Sequence, residues 1–313
     1  MVIYEYPFSE KVNIPGCVLA LGFFDGVHIA HRDLILSARE IAKEKGLKLG
    51  IFSFKSSGNI KSRSERLYDD QQKAEIFSVL GADFTIFADF GAISHYSPSE
   101  FVSRVLIEEL NCHIAVAGFN FRFGKGALGG AEDLALLMKE GGGNAVIRQE
   151  IICDSGITLS ATVIRDLISN GEIKKAEEYL GAPYYIKGRV SSGRKVGREM
   201  GFPTANVDIE PGFVIPKSGV YRCAVPYEGK IYSAVVNIGE CPTFEKRRVH
   251  LEAHLIDFDG DLYGKEIRIF LLDFIRAEET FTDIESLKSQ IEEDKNKVIN
   301  ENGDISWQDL GLK

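Results

Sequence analysis

The hydrophobic pattern of the chain changes near Gly181, a natural residue to end a helix, and Pro183, which cannot continue one. Before this point, short apolar runs that suit buried strands alternate with segments whose apolar residues recur at helical spacing. After it, strand-like runs and tight turns dominate. The first pattern predicts a parallel sheet covered by helices, and the second a small β-barrel. We therefore predict an α/β protein with two domains, residues 1–181 and 182–313.

The individual elements follow from the same periodicities. Predicted strands of the first domain are 17–21, 48–54, 83–88, 114–118 and 145–147, and predicted helices are 32–46, 69–80, 101–110 after a capping box at 97–100, 131–140, 160–170 and 172–180. In the second domain, two hairpins are predicted, one joining 220–225 to 231–236 and one joining 250–258 to 266–274. A last helix is predicted over 283–300, with an apolar stripe of Ile284, Leu287, Ile291 and Val298.

Composition excludes several classes of protein. With 313 residues and a net charge of −9, the chain lacks the basic surface expected of a general nucleic-acid binder. Its five cysteines are scattered and form no Cys-x-x-Cys pair, which is typical of a reducing cytoplasm. The beginning lacks the features of a signal peptide, and no apolar run approaches the roughly 20 residues of a membrane helix. We predict a cytoplasmic protein with no nucleic-acid or membrane partner; the oligomeric state stays open.

The stretch 22–31, GFFDGVHIAH, lies between the first predicted strand and the first predicted helix. Its glycines let the backbone bend and approach a ligand closely. His28 and His31 are three residues apart and fall on one face of the first helical turn, where free backbone N–H groups attract anions. Such pairs are also common as surface residues or metal ligands, but neither a third ligand nor a glutamate beside His28 is evident. The stretch predicts a phosphate site.

Two further motifs of the first domain also follow strand-like runs. The stretch 118–126, GFNFRFGKG, reads by itself as an ordinary loop with buried phenylalanines. The stretch 159–165, LSATVIR, begins a helix, with Ser160 as a plausible N-cap. Arg165 lies three residues after Thr162 and on the same helical face. A hydroxyl and a guanidinium at a helix start predict a second contact for an anion.

The second domain carries a glycine-rich basic loop, GRKVGREMGFPTAN at 193–206, which by itself suits a solvated turn. Further on, strand alternation over 251–258 places Glu252, His254 and Ile256 on one face and the intervening residues on the other. A carboxylate inside a small barrel is unfavourable unless it is used or paired. The alternative is a solvent-facing glutamate on an edge strand, which is the commoner case.

These motifs, in this order from about Val18 to the last helix, resemble the bacterial bifunctional riboflavin kinase/FMN adenylyltransferases, also called FAD synthetases. The resemblance implies an N-terminal Rossmann-like nucleotidyltransferase domain and a C-terminal antiparallel β-barrel riboflavin kinase domain with a C-terminal helix. It implies that the barrel phosphorylates riboflavin to FMN with ATP and Mg²⁺. The N-terminal domain would then transfer AMP from ATP to FMN, which yields FAD and pyrophosphate.

The resemblance also assigns residues by motif. His28, His31 and Arg165 would stabilise charge on the triphosphate, Glu252 would be the general base of the kinase, and Thr204 and Asn206 would hold Mg²⁺. The remaining contacts with ATP or its phosphates would come from Gly22, Phe23, Phe24, Asp25, Gly26, Ser160, Thr162, Gly193, Lys195, Gly197, Gly201 and Pro203. Flavin contacts would come from Asn120, Phe121, Arg122, Phe123 and Glu252.

The chain departs from the family pattern at three places. Ala30 stands where the family usually has glycine, and Ala161 where it has serine. The second strand runs into Phe52-Ser53-Phe54-Lys55-Ser56-Ser57-Gly58, without the family's usual Phe-x-Pro-His-Pro. Two alternatives therefore stay open: a riboflavin kinase with a weak or inactive adenylyltransferase domain, and a flavin-sensing protein without catalysis.

Overall fold

The computed structural model describes residues 1–10, 12–56, 65–154, 156–191, 201–242, 247–301 and 305–312. Their contacts divide the chain into two compact units, Met1–Ala161 and Thr162–Lys313. The first unit is built on a parallel sheet and the second on an antiparallel barrel. This division comes earlier in the chain than the functional boundary expected between residues 181 and 182, which stays a prediction.

The first unit alternates strands and helices. Its strands are β1 (Val2–Tyr6), β2 (Cys17–Leu21), β3 (Lys48–Phe54), β4 (Phe84–Ala88), β5 (Cys112–Gly118) and β6 (Asn144–Arg148). Its helices are α1 (Ile29–Lys45), α2 (Asp70–Val79), α3 (Phe90–Ile93), α4 (Pro98–Glu100), which continues as a π-helical segment (Phe101–Glu109), and α5 (Ala131–Glu140); 3-10 turns cover Asp25–Val27 and Lys125–Ala127. The predicted strands and longer helices are confirmed within a few residues, whereas β1 and α3 were not predicted.

The sheet of the first unit is parallel throughout, with the strand order β1-β4-β3-β2-β5-β6. The chain builds outward from β2 to β3 and β4, and then returns to place β5 on the other side of β2. Leu21 and Ala117 are partners in the β2–β5 register, so the loops that begin at Gly22 and Gly118 emerge side by side. In sheets of this kind, ligands bind at the carboxyl ends of the strands where the strand order reverses. The fold therefore brings two of the predicted motifs together.

Local sequence signals explain where several helices begin and end. The backbone N–H of Ser97 donates to the Glu100 carboxylate (2.9 Å) and that of Glu100 to the Ser97 hydroxyl (3.2 Å), which confirms the predicted capping box. The apolar face that follows is buried, as predicted, and comprises Phe101, Val102, Val105, Leu106 and Leu110.

The second unit begins with α6, whose helix spans Ala161–Asn170, and continues with α7 (Ile173–Leu180), which ends at Gly181 in a left-handed conformation. Its strands are β7 (Tyr185–Ser191), β8 (Ala205–Ile209), β9 (Gly219–Tyr227), β10 (Lys230–Pro242), β11 (Arg247–Leu255) and β12 (Glu266–Arg276), and its last helix is α8 (Ile284–Asn300). The strands form a closed antiparallel barrel in the order β10-β11-β8-β7-β12-β9. The predicted barrel and C-terminal helix are confirmed.

One predicted hairpin is confirmed and the other is wrong. Strands β9 and β10 form the first, joined by Glu228 and Gly229, both with positive φ as a two-residue hairpin requires. Strands β11 and β12 do not pair, because β11 lies between β10 and β8 while β12 lies between β7 and β9. Strands β8 and β7 lie between them in the barrel.

The last helix packs on the barrel through a narrower apolar stripe than predicted. Val298 is fully buried, but Ile284 in the first turn is 61% exposed and does not belong to the packed face. The buried carboxylate of Asp294 accepts from the Arg276 guanidinium at 2.7 Å and completes the contact between α8 and β12. The stripe prediction was therefore wrong at its first position.

Candidate active sites

The turn between β2 and α1 is tightly constrained. Phe24 and Val27 are buried side chains with positive φ (54° and 42°), and Gly26 has a φ of 75°. The Ser53 hydroxyl donates to the Phe23 carbonyl at 2.9 Å, and the Leu67 N–H donates to the buried Asp25 carboxylate at 3.0 Å. A non-glycine residue in the left-handed region is strained and persists only where its surroundings hold it. The neighbouring segments thus hold this turn in one conformation.

The two histidines of the motif meet as predicted. His28 is the N-cap of α1, His31 lies in its first turn, and their rings stack with centroids 3.7 Å apart. The Nδ1 atoms of both rings are buried and have no hydrogen-bond partner among the described residues. Burial lowers the pKa of His28 to about 4, and burial together with His28 lowers the pKa of His31 well below its usual value. Both rings are therefore neutral at pH 7, and they lie at the N-terminus of α1.

The replacement of the family glycine by Ala30 is compatible with this geometry. Ala30 is the second residue of α1 and does not have a positive φ, so a side chain there causes no strain. Gly22 is different, since a Cβ atom at that position would lie 2.9 Å from the Phe24 ring. The glycine that the turn requires is thus present.

The loop after β5 divides into core and exposed residues. Phe123 is buried, stacks on Phe121 with ring centroids 5.6 Å apart, and exchanges backbone hydrogen bonds with Gly129. Asn120 and Arg122 are exposed. Phe123 thus serves the core, and the side chains of the loop that are open to a ligand include Asn120 and Arg122. The assignment of the four residues to flavin binding stays a prediction.

The third motif forms the expected local contact. The Arg165 guanidinium donates to the Thr162 hydroxyl at 3.0 Å, which confirms that both lie on one face of α6. Ser160 immediately precedes the helix. The assignment of Ser160, Thr162 and Arg165 to an ATP site stays a prediction.

The end of β3 lacks the family's proline and histidine but is held in another way. The N–H and hydroxyl of Ser56 both donate to the Asp70 carboxylate, at 3.0 and 2.6 Å. The Lys73 ammonium donates to the Phe54 carbonyl at 3.1 Å. Ser57 and Gly58, the last residues of the variant stretch, lie outside the described residues. Helix α2 therefore supplies the contacts that fix the described part of this strand end.

In the barrel, Glu252 lies on the face opposite the core. Leu251, Ala253 and Leu255 are buried, whereas the Glu252 side chain is 38% exposed. Strand β11 pairs on both sides and is not an edge strand. Glu252 is thus neither enclosed in the barrel nor on an edge, and a base in such a position is open to a substrate.

Three polar side chains flank Glu252 on the same face. The registers place Asn206 of β8 and Asn237 of β10 directly opposite it. Within β11, His250 Nε2 lies 2.7 Å from a Glu252 carboxylate oxygen. Because an ionised carboxylate only accepts hydrogen bonds, the His250 ring must carry its proton on Nε2. The contact with His250 thus orients the Glu252 carboxylate. Glu252 lies directly opposite the predicted magnesium ligand Asn206.

The end of the glycine-rich loop is attached to β11. His254 Nδ1 lies 2.9 Å from the carbonyl oxygen of Pro203, the residue that precedes Thr204. The His254 ring also contacts the ring of Phe202. Pro203 and Thr204 line a cavity of about 400 Å³ together with Ala253, Leu255 and the segment 258–263. Gly201 has a φ of 91°, while the predicted residues Gly193, Lys195 and Gly197 lie outside the described residues. The described part of the loop is thus positioned beside both Glu252 and a cavity.

Sequence reasoning missed the contacts of three residues near these sites. Lys73 lies in the predicted helix 69–80 but was not recognised as buried, and the only local signal was its spacing of three from Asp70. His250 shares the Glu252 face by strand alternation, so its contact was open to prediction. The bond from His254 to Pro203 depends on the pairing of β8 with β11 and had no local signal.

Comparison with known proteins places both units. A family model described as FAD synthetase matches residues 10–163, and one described as riboflavin kinase matches residues 180–301. A Bacillus subtilis protein described as bifunctional riboflavin kinase/FMN adenylyltransferase is 35% identical over 291 residues, which cover 90% of this chain and 91% of that protein. The chain belongs to this family. An Escherichia coli K12 protein of the same description is 34% identical over 291 residues, covering 90% of this chain and 91% of its own.

A solved structure shares the architecture. A crystal structure described as a macrolide-efflux protein of Streptococcus pneumoniae superposes with a TM-score of 0.87 at 27% identity and covers 96% of this chain and 100% of its own. Among the helices that the structure describes here, none has the length and apolar character needed to cross a bilayer. The family assignment rests on the sequence relatives and on the two matched models.

Proposed function

We propose that the domain of residues 182–313 transfers the γ-phosphoryl group of ATP to riboflavin, and that the domain of residues 1–181 transfers AMP from ATP to the resulting FMN. One observation carries the proposal: each family match holds its own polar site, the stacked His28 and His31 in the first and the Asn206–Glu252 pair in the second. The products would be FMN, and then FAD with pyrophosphate.

In the kinase reaction, Glu252 accepts the proton of the ribityl hydroxyl while that oxygen attacks the γ-phosphorus and ADP leaves. His250 keeps one carboxylate oxygen oriented through its 2.7 Å contact and leaves the other available. The exposure of Glu252 and its position across from Asn206 support this role.

The donor set beside Glu252 suits Mg²⁺. The Thr204 hydroxyl and the Asn206 amide carbonyl are oxygen donors, and Mg²⁺ binds few protein oxygens while it retains positions for phosphates and water. We assign Thr204 and Asn206 as the residues that hold it. The ion would neutralise charge on the transferred phosphoryl group. His254 fixes the backbone of Pro203 and thereby the start of this pair.

In the adenylyl transfer, the FMN phosphate is already ionised and attacks the α-phosphorus of ATP without a base. Catalysis then consists of stabilising charge on the triphosphate and on departing pyrophosphate. The stacked His28 and His31 rings and the N-terminus of α1 suit this task, because they are polar groups held in place before the ligand arrives.

The test supplies the purified protein with riboflavin, ATP and Mg²⁺ and separates FMN from FAD. Formation of FAD supports both activities. FMN alone would favour a kinase with an inactive adenylyltransferase, and neither product would favour a flavin-sensing protein.

Variants assign the reactions to the units. His28→Ala is expected to slow conversion of supplied FMN to FAD by roughly 10²-fold and to spare riboflavin phosphorylation. Glu252→Gln is expected to slow FMN formation by roughly 10²- to 10⁴-fold and to spare adenylylation of supplied FMN. His95→Ala and Glu266→Gln, both at exposed positions, are matched controls. Loss of the opposite activity in a folded variant would contradict the assignment.

A further inference from the structure

Lys73 is a buried charge that the proposed reactions do not use. It is 1% exposed, and its ammonium lies 3.2 Å from the Asp70 carboxylate and 3.1 Å from the Phe54 carbonyl oxygen. Burial lowers its pKa, which the Asp70 carboxylate opposes. Burying an ion is unfavourable unless it is paired and hydrogen-bonded, and a hydrophobic side chain often serves stability equally well. The position therefore calls for a role beyond packing.

The surroundings of the ammonium point toward the first site. Its nitrogen lies 5.2 Å from the ring centroid of Phe23 and 5.2 Å from that of Phe87. Phe23 follows β2, Phe54 ends β3 and Phe87 lies in β4, so one charge contacts the carboxyl ends of three adjacent strands. Phe23 belongs to the turn 22–31 and is 38% exposed as a residue. A cation below an aromatic ring attracts and orients it.

We propose that Lys73 is a positioning residue for adenylyl transfer: its ammonium fixes the Phe23 ring and, through it, the turn that presents His28 and His31. The inference rests on the proposed placement of adenylyl transfer in the first unit. The Phe23 backbone is held by Ser53, but its ring has no other cation within this distance among the described residues. Small displacements of catalytic groups slow a reaction strongly. Lys73 can therefore affect the rate by holding the turn in place, without touching substrate.

The first experiment removes the positive charge of Lys73 and keeps an unbranched side chain at this position. In Lys73→Met, kcat for conversion of FMN to FAD is expected to fall roughly 10- to 10²-fold, while KM for ATP changes by less than about threefold. Riboflavin phosphorylation by the same molecule is the internal control and stays unchanged. Lys48→Met, which removes an exposed ammonium paired with Asp83, is the matched control and keeps both activities. A folded Lys73→Met with normal kcat and only a lower melting temperature would overturn the inference.

The second experiment asks whether Lys73 acts through Phe23. Phe23→Leu removes the aromatic face, and the double variant with Lys73→Met is expected to be no slower than the slower single variant. Independent, multiplicative losses would overturn the inference, even though both residues would then matter. No loss in Phe23→Leu would also overturn the inference, because the ring would then not be needed to hold the turn, whereas the placement of the site itself is tested by His28→Ala. If Lys73→Met does not fold, Asp70→Asn is used in its place, because it removes the carboxylate that pairs with the Lys73 ammonium. The double variant of Asp70→Asn and Phe23→Leu is then expected to be no slower than the slower single variant.

Discussion

The histidine pair of the first site makes the stability of the first unit sensitive to acid. Burial lowers the pKa of His28 from 6.5 to about 4, so between these values the unfolded chain binds a proton that the folded chain does not. The free energy of unfolding therefore decreases as the pH is lowered from 6.5 to about 4, by about 1.4 kcal/mol per pH unit. Between pH 7 and pH 5, the loss from His28 alone is about 2 kcal/mol. His31, whose pKa is also lowered, adds to this loss.

Urea unfolding at pH 7, 6 and 5 measures the effect. Far-UV circular dichroism follows both units, whereas the single tryptophan, Trp307, reports on the second unit alone. His28→Gln removes one proton-binding group, and the loss of unfolding free energy between pH 7 and pH 5 is expected to be about 2 kcal/mol smaller than in the unmodified protein. His95→Gln, at an exposed position, is the matched control and keeps the original pH dependence.

Two results would refute this reasoning. If His28→Gln loses as much stability on acidification as the unmodified protein, His28 is not a buried neutral ring. If the Trp307 transition carries the whole pH dependence, the acid-sensitive groups lie in the second unit. A triphosphate is expected to reduce the acid sensitivity, because bound negative charge favours the protonated imidazole and raises its pKa.

Three further outcomes follow from the described contacts. Excess chelator is expected to abolish both FMN and FAD formation, and added Mg²⁺ to restore them; full activity in chelator would contradict the magnesium assignment. Ser56→Pro is expected to lower the unfolding free energy of the first unit by roughly 1–3 kcal/mol, since Asp70 loses two donors, and an unchanged urea midpoint would show that these bonds contribute nothing. Asp294→Ala is expected to destabilise the second unit by roughly 3–5 kcal/mol because Arg276 loses its buried partner, as followed by Trp307 fluorescence; a change below 1 kcal/mol would contradict it.

The first unit was predictable because its signals are local. Strand β2 is an unbroken buried run, and the capping box at Ser97 marks a helix start within four residues. Strand β1 gave no such signal, since it is largely exposed and acquires its strand geometry by pairing with the distant β4. The start of α1 was predicted a few residues late, because His28 caps this helix through its backbone conformation and not through a side-chain bond.

The barrel was predictable as a class but not in its pairing. The two-residue connection at Glu228-Gly229 dictates one hairpin locally. Closure of the barrel dictates the rest, because β8 inserts beside β11 and β7 beside β12. A turn-like sequence at Asp259-Gly260-Asp261 therefore led to a wrong hairpin: such residues permit a reversal, but they do not specify which strand lies next to which.

The same limit applies to the proposed kinase site, where strand pairing decides which motif residues lie opposite each other. The sequence identifies Glu252 and Asn206 separately, but only the β8–β11 register puts them opposite each other. A slip of one residue would turn Glu252 into the core and Leu251 toward solvent. The buried side chains of Leu251 and Ala253 oppose that slip, since it would expose them to water. The apolar face of β11 thus holds the polar face in register, and the placement of the proposed general base follows from the packing of residues on the opposite face of the strand.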